Sequence, residues 1–154
     1  MNKKALKTVF LDTVPVMTGY LFLGISYGIY MNVSGFSFLY PLLMSIVIFG
    51  GSLEFLAVSF LLSTFAPLQT FLIALVIQAR HLFYGLAMLE KYKNTGVKKL
   101  YLIFALTDET FSINCSTPVP KGIEKGKFYF AVSLLDQIYW VSGATIGGIL
   151  GSFI

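Results

Sequence analysis

The sequence contains few of the residues on which soluble folds and metal centres depend. Charged residues occupy 12% of its 154 positions, and it has one cysteine and one histidine. A single cysteine excludes an intramolecular disulfide, and one cysteine with one histidine cannot supply the ligands of a zinc site. Soluble domains carry roughly 25% charged residues, so the charge content excludes an ordinary soluble domain. We expect neither a metal nor a cofactor.

Hydrophobic residues are abundant instead. They fill 56% of the chain, and the mean hydropathy is +0.80, which indicates an integral membrane protein embedded in a lipid bilayer. The net charge of +4 does not indicate nucleic-acid binding, because the lysines lie near the N-terminus and in two loops rather than in one basic stripe. Lysines beside apolar segments favour the cytoplasmic side of a membrane. We therefore expect a multi-pass protein with a cytoplasmic N-terminus.

Three uninterrupted apolar segments are long enough to cross a bilayer, for which about 20 helical residues suffice. They are residues 9–31, 68–89 and 128–150. The first contains Gly24 and Gly28, a spacing that favours the close approach of another helix.

Two further apolar segments, residues 38–65 and 100–117, are interrupted in the middle. A glycine pair at 50–51 breaks the first, and residues 107–109 break the second. Adjacent glycines disfavour a helix, and the polar residues 107–109 interrupt the second apolar run. Each segment is therefore predicted to form two half-helices. Each half is too short to cross a bilayer alone.

The two interrupted segments resemble each other. A shift of 55 residues places residues 48–55 over residues 103–110. Ser52 and Thr107 then coincide, each predicted to cap the start of a new helix, and a glutamate follows each of them two positions later. We interpret this similarity as an internal repeat.

The repeat defines the expected organisation of a single transmembrane domain over residues 1–154. Repeat 1 covers about 9–65, repeat 2 covers about 68–117, and a final helix covers about 128–150. Each repeat holds one full span followed by one interrupted segment.

The lysines favour one topology for these segments. If both interrupted segments return to the side from which they enter, the N-terminus and both lysine loops are cytoplasmic, and the repeats have opposite orientations. The predicted fold class is an all-α integral membrane protein with three full transmembrane helices plus two broken or re-entrant segments in an inverted repeat. The alternative is five simple transmembrane helices, which would place the lysines of residues 91–99 outside the cell.

Ionisable residues lie within the apolar segments, where each costs about 2.5–3.5 kcal/mol. We expect such residues to be paired or functional. Helix starts at Ser52 and Thr107, together with Arg80, can bind a carboxylate, and Glu54 and Glu109 can bind an ammonium group. These five residues form the predicted substrate-binding set. The alternative is that Glu54 or Glu109 pairs with Arg80 only to hold the helices together.

Four residues are candidates for coupling transport to protons: Asp108, Glu109, Asp136 and His81. Carboxyl groups removed from water and histidines can both change protonation within the physiological range. Asp108 is also a candidate partner for an ammonium group. The alternative for His81 is a purely structural hydrogen bond.

Three motifs occur in order along the chain: QARHLFYG at residues 78–85, TDETF at 107–111 and DQIYWVSG at 136–143. Together they resemble the AzlC family, the large subunit of bacterial branched-chain amino acid exporters. The resemblance implies a secondary transporter subunit of the bacterial plasma membrane that exports branched-chain or other apolar amino acids. It also implies a small hydrophobic AzlD-type partner subunit. Family members continue past the third motif, so we expect this chain to lack the family's C-terminal part.

The alternative function is a non-transporting membrane scaffold subunit, or an inactive fragment of such an exporter. Neutralising Glu109 distinguishes a carrier, which would lose flux, from a scaffold, which would lose assembly. No Ser-His-Asp, zinc or intramembrane protease pattern occurs in the sequence, so we do not expect an enzyme.

Overall fold

The computed structural model describes residues 3–154, with side chains from residue 7 onward, and this part of the chain is entirely helical apart from its connections. The helices are α1 (Lys3–Val33), α2 (Leu39–Val47), α3 (Gly51–Leu62), α4 (Pro67–Gln78), α5 (Arg80–Met88), α6 (Lys98–Phe104), α7 (Asp108–Ser116) and α8 (Lys125–Gly151). The all-α prediction is confirmed. Met1 and Asn2, which begin the segment used to predict a cytoplasmic N-terminus, lie outside the described residues.

Length and composition alone identify some of the predicted spans. Lys7–Val33 qualifies as a membrane span, and α4 and α5 qualify together as a pair bent by 47°. Helix α8 is 27 residues long but is not apolar enough to qualify by the same measure. These properties therefore identify up to two of the three predicted spans within the described residues.

Helices α1 and α8 form the centre of the fold and run parallel. Gly24 lies against Gly143, and Asn32 lies against Gly151, so the contacts advance along both helices in the same direction. A Cβ atom added to Gly24 would lie 2.9 Å from the backbone nitrogen of Ala144, which leaves no room for a side chain. The helix contact predicted at the glycines of α1 is confirmed.

Residues 39–62 form a helical hairpin, hairpin A, from α2 and α3. Helix α2 runs antiparallel to α8, because Pro41 lies against Gly148 while the Ile46 carbonyl accepts a hydrogen bond from Gln137 at 3.2 Å. The chain then reverses, and Phe55 on α3 packs against Tyr27 of α1 with ring centroids 5.4 Å apart. Hairpin A therefore returns toward the end of the bundle at which it began.

Residues 98–116 form hairpin B, from α6 and α7, at the opposite end. Lys98 at its start lies 3.8 Å from Glu124, just before α8. At the end of α7, Lys91 donates to the backbone carbonyl groups of Asn114 and Cys115. Hairpin B thus also begins and ends at one end of the bundle.

The tips of the two hairpins meet beside α1. Phe49 in the tip of hairpin A lies 6.4 Å from Phe104 of hairpin B, measured between ring centroids. The ring of Tyr20 contacts Phe49 at 6.4 Å, and its hydroxyl group contacts Thr107 at 2.7 Å. Tyr20 therefore touches both tips.

Two local predictions need correction. Residues 68–89 do not form an uninterrupted helix, because the chain bends by 47° between α4 and α5. Ser52 does not cap α3, since that helix begins at Gly51 and the backbone nitrogen of Gly50 donates to the Glu54 carboxylate at 3.0 Å. The predicted cap at Thr107 is confirmed, because its hydroxyl oxygen accepts a hydrogen bond from the Thr110 backbone nitrogen at 3.2 Å.

The close contact between α1 and α8 predicts a difference between two glycines of α1. A Cβ atom at Gly28 would collide with the Ala144 backbone, whereas one at Gly19 would meet nothing within 4 Å. Both alanine variants gain the same helix propensity, so their difference isolates the steric cost, which is about 1–3 kcal/mol for overpacking. We expect Gly28→Ala to unfold at a lower temperature than Gly19→Ala in detergent. Equal midpoints would show that the two helices separate readily.

Candidate functional site

A cavity of about 290 Å³ lies where the hairpin tips meet the bend between α4 and α5. This volume is close to the lower limit of roughly 300 Å³ for small-molecule sites. Its lining combines apolar and aromatic side chains with polar and charged groups. The lining residues are Tyr20, Leu23, Phe49, Gly50, Gly51, Ser52, Phe55, Gln78, Arg80, His81, Thr107, Asp108, Glu109 and Trp140.

Arg80 connects the two hairpin tips across this cavity. Its Nη1 atom lies 2.5 Å from the Asp108 carboxylate, at the start of α7. Its Nη2 atom donates to the Ser52 hydroxyl group, at the start of α3, at 3.1 Å. Arg80 is the first residue of α5, so the bend between α4 and α5 positions the guanidinium group between the two helix starts. The alternative pairing of Arg80 with Glu54 or Glu109 is not found.

The start of α7 faces the same cavity. Thr107 caps this helix by accepting the Thr110 backbone N–H. The backbone N–H groups at a helix start are not all satisfied within the helix, and together with the helix dipole they favour an anion. Asp108 and Glu109 occupy the first turn and line the cavity. Two carboxylate side chains therefore lie beside this helix start.

Glu54 lies behind the cavity wall rather than in it. Its side chain is completely buried, and its Oε1 atom accepts hydrogen bonds from the Trp140 indole nitrogen at 2.9 Å and from the Gly50 backbone nitrogen at 3.0 Å. Its Oε2 atom has no partner. Glu54 thus holds the tip of hairpin A against α8 and does not reach the cavity.

Asp136 is also completely buried and does not line the cavity. Its Oδ2 atom accepts a hydrogen bond from the Thr110 hydroxyl group at 2.8 Å, while Oδ1 has no partner. The carboxylate therefore lies behind hairpin B, as Glu54 lies behind hairpin A.

Glu109 and His81, by contrast, reach the cavity. Glu109 Oε2 lies 2.6 Å from the hydroxyl group of Tyr20. His81 is partly buried against the ring of Tyr84, and its Nδ1 atom is buried without a partner. The cavity thus collects Ser52, Arg80 and Thr107 together with these two residues.

Sequence reasoning assigned no role to four residues that shape the cavity: Tyr20, Phe49, Gln78 and Trp140. Phe49 has a φ of 45°, an unfavourable left-handed conformation for a bulky residue, which turns the chain at the tip of hairpin A. An isolated tyrosine in an apolar segment gives no signal of its own. Gln78 and Trp140 belong to the sequence motifs at 78–85 and 136–143. Those motifs were the signal by which both residues could have been identified.

A comparison with protein families identifies the chain. The family model described as AzlC protein matches residues 15–154. The chain belongs to the AzlC family. No solved structure matches it. The expected family resemblance is therefore confirmed.

Several relatives of this AzlC-family chain are similar over nearly its whole length. The "Branched-chain amino acid transport protein AzlC" of Bacillus subtilis is 52% identical, covering 100% of this chain and 63% of the relative. An "Uncharacterized membrane protein" of Haemophilus influenzae is 48% identical over 98% of this chain and 62% of the relative. A Helicobacter pylori protein of the same description is 34% identical over 97% of this chain and 65% of the relative.

One of these names describes a transport protein, and the other two describe membrane proteins. The chain spans less than two thirds of the length of these relatives.

The partners of Glu54 predict how its substitutions affect stability. Glu54→Gln keeps an acceptor for Trp140 and Gly50, whereas Glu54→Leu leaves both N–H groups buried and unpaired. Each unpaired group costs about 1–3 kcal/mol. We expect the leucine variant to have a markedly lower thermal midpoint in detergent than the glutamine variant. Glu90→Leu is the control, since that side chain is 85% exposed; leucine and glutamine variants of equal stability would contradict a structural role for Glu54.

Proposed function

We propose that this chain is a secondary transporter subunit that exports branched-chain or other apolar amino acids across the bacterial plasma membrane. The observation that carries the proposal is the cavity in which Arg80 joins two opposed hairpin tips beside Asp108 and Glu109. Opposed broken helices near the centre of a bundle are the usual site of solute binding in transporters with inverted repeats.

The proposed topology has three spans, formed by α1, by α4 with α5, and by α8, with hairpins A and B as re-entrant segments. Its support is that each hairpin begins and ends at one end of the bundle. If α2 and α3 crossed the membrane as one span, α3 would extend away from the C-terminal half of α1. Phe55 of α3 instead packs against Tyr27 and Tyr30 in that half. The N-terminus and both lysine loops would then be cytoplasmic.

The proposed substrate fits the cavity by its chemistry. Its carboxylate would bind Arg80 and the N–H groups at the start of α7, with Ser52 and Thr107 alongside. Its ammonium group would bind Glu109 or Asp108. An apolar side chain would lie against Leu23, Phe49 and Phe55, which form the hydrophobic part of the lining, and Glu54 would support the tip from behind.

Substrate binding would have to compete with an internal contact. The Asp108 carboxylate forms an ion pair with the Arg80 guanidinium group, in the position that the substrate carboxylate would take. Both side chains are partly exposed, at 43% and 36%, so the exchange of one carboxylate for another is accessible from the cavity. The ion pair would hold the tips together between transport events and open when substrate arrives.

We further propose that export is coupled to protons and that a small hydrophobic AzlD-type subunit accompanies the chain. Asp108, Glu109, Asp136 and His81 are the proposed coupling residues. The basis for the partner is the family resemblance, and the basis for branched-chain substrates includes the name of the Bacillus subtilis relative.

A second candidate function is a non-transporting scaffold or an inactive part of an exporter. The observation that favours it is that Arg80 pairs with both Asp108 and Ser52, which joins the two hairpins through side chains of the chain itself. In that case, substitution of Arg80 would disturb folding and partner assembly.

Export by cells loaded with dipeptides of isoleucine, leucine or valine tests the proposal. Expression of this chain with an AzlD-type subunit should lower the intracellular concentration of the released amino acids. Arg80→Gln removes a charged hydrogen-bonding partner worth about 1.5–3 kcal/mol, so we expect export to fall by roughly 10- to 150-fold. Lys93→Gln, in an exposed loop, is the matched control.

Membrane abundance and partner co-purification are measured for every variant. Loss of export with normal abundance and assembly supports the carrier. Loss of assembly in Arg80→Gln supports the scaffold, and export equal to that of the unsubstituted chain would remove Arg80 from the pathway. If the unsubstituted chain exports no amino acid even with its partner, the function proposed for residues 1–154 is wrong.

A further inference from the structure

A continuous series of hydrogen bonds connects the cavity with the buried Asp136. Glu109 Oε2 in the cavity lies 2.6 Å from the Tyr20 hydroxyl group. Tyr20 contacts the Thr107 hydroxyl at 2.7 Å, Thr107 contacts the Thr110 hydroxyl at 3.0 Å, and Thr110 contacts Asp136 Oδ2 at 2.8 Å. Three hydroxyl groups therefore link two carboxyl groups without a gap.

The three intermediate groups share the property that proton transfer requires. Each hydroxyl group of Tyr20, Thr107 and Thr110 can donate one hydrogen bond and accept another, so each can receive a proton on one side and release one on the other. Tyr20 and Thr110 have these contacts while buried, which keeps bulk water from replacing them.

The surroundings of Asp136 leave its negative charge without compensation. No lysine, arginine or histidine lies within 4.0 Å of it among the side chains from residue 7 onward. The titratable groups facing it are Glu109 on α7, Tyr20 on α1 and Tyr101 on α6, which cannot supply positive charge. Its Oδ1 atom is buried without a partner. Taking up a proton removes both the uncompensated charge and its desolvation cost.

Glu54, the other completely buried carboxylate, lacks such a connection. Its hydrogen-bonding partners are the indole N–H of Trp140 and the backbone N–H of Gly50. These groups only donate, so neither can pass a proton onward. The difference between the two carboxylates lies in the chemistry of their partners, because both are equally buried.

We propose that Asp136 is the proton-carrying carboxylate of this site, and that Thr110, Thr107 and Tyr20 transfer its proton to and from Glu109. This inference rests on the proposed transport function and specifies how that function is coupled to protons. It assigns Glu109 the role of exchanging protons with the cavity and Asp136 that of storing a proton in the interior.

The transfer is balanced in protons and charge. The protonated Glu109 gives its proton to the Tyr20 oxygen while Tyr20 gives its own proton to Thr107. Thr107 then protonates Thr110, and the Thr110 proton moves to Asp136 Oδ2. Four O–H bonds break and four form, which leaves Glu109 ionised, Asp136 neutral and the three hydroxyl groups unchanged.

The transfer also changes the contacts of hairpin B. While Asp136 is ionised, Thr110 donates a charge-assisted hydrogen bond to it, which is stronger than a bond between neutral groups. Protonation weakens this attachment of α7 to α8. In the same step Glu109 in the cavity becomes negative and able to bind an ammonium group. The position of the proton thus affects both the hairpin contact and the affinity for substrate.

Two transport modes measured in proteoliposomes test the relay. Leucine exchange at equal pH on both sides requires substrate binding but no net proton movement, whereas leucine accumulation driven by a pH gradient requires both. Thr110→Val removes the hydroxyl group at nearly constant volume. We expect its gradient-driven accumulation to fall at least about tenfold more than its exchange. Asp136→Asn should show the same selective loss.

Matched variants distinguish a relay from a disturbed fold. Thr110→Ser restores a hydroxyl group and should restore gradient-driven accumulation. Thr145→Val removes a hydroxyl group from α8 that bonds only its own helix, to the Val141 carbonyl, and should leave the ratio of the two modes unchanged. The relay is wrong if Thr110→Val keeps the ratio of the two modes found in the unsubstituted chain. It is also wrong if Thr110→Ser loses gradient-driven accumulation as strongly as Thr110→Val does.

Infrared difference spectroscopy gives a readout that does not depend on transport. A pH titration of the purified protein should reveal the C=O band of a protonated carboxyl group that Asp136→Asn removes and that Thr110→Val shifts, because the valine cannot hydrogen-bond it. Absence of such a band across the physiological pH range would overturn the proposal. A band without leucine exchange in the unsubstituted chain would support proton storage at Asp136 and contradict the proposed transport function instead.

Discussion

The close contact between the backbones of α1 and α8 determines how the rest of the protein packs. Gly24 of α1 lies directly against Gly143 of α8, and a Cβ atom at Gly24 would lie 2.9 Å from the Ala144 backbone nitrogen, which would force the helices apart. The short separation brings the rings of Tyr20 and Trp140 to 5.5 Å, one from each helix. The two hairpins are attached to these aromatic residues. Small residues at a helix interface therefore determine the position of a polar site that they do not themselves form.

The hairpins interrupt helices in a region that is otherwise apolar, and the freed backbone groups need partners there. Thr107 satisfies one backbone donor at the start of α7, and the Glu54 carboxylate satisfies one at Gly50. Irregular backbone is tolerated within a membrane where it is buried in protein or lines a cavity. Both tips meet these conditions, which explains why helix breaks and polar side chains occur together in the sequence.

Four carboxyl groups lie in or behind the two hairpin tips, and each has different partners. Asp108 pairs with Arg80, Glu109 contacts Tyr20, Glu54 accepts from Trp140, and Asp136 accepts from Thr110. A single positive charge cannot compensate all four, so the remaining three depend on neutral donors or on protonation. This shortage of positive charge is the physical basis on which we propose that the site exchanges protons and binds an ammonium group.

The sequence by itself determined the all-helical membrane character, the breaks near Gly50 and Thr107, and the helix contact at Gly24. These features follow from composition, local conformational preference and residue spacing. Only the tertiary structure decided that Arg80 pairs with Asp108 rather than with a glutamate, that Glu54 lies behind the cavity, and that α4 and α5 are separate. Such pairings join segments distant along the chain, and a local pattern does not specify which of several carboxylates a folded bundle brings within hydrogen-bonding distance.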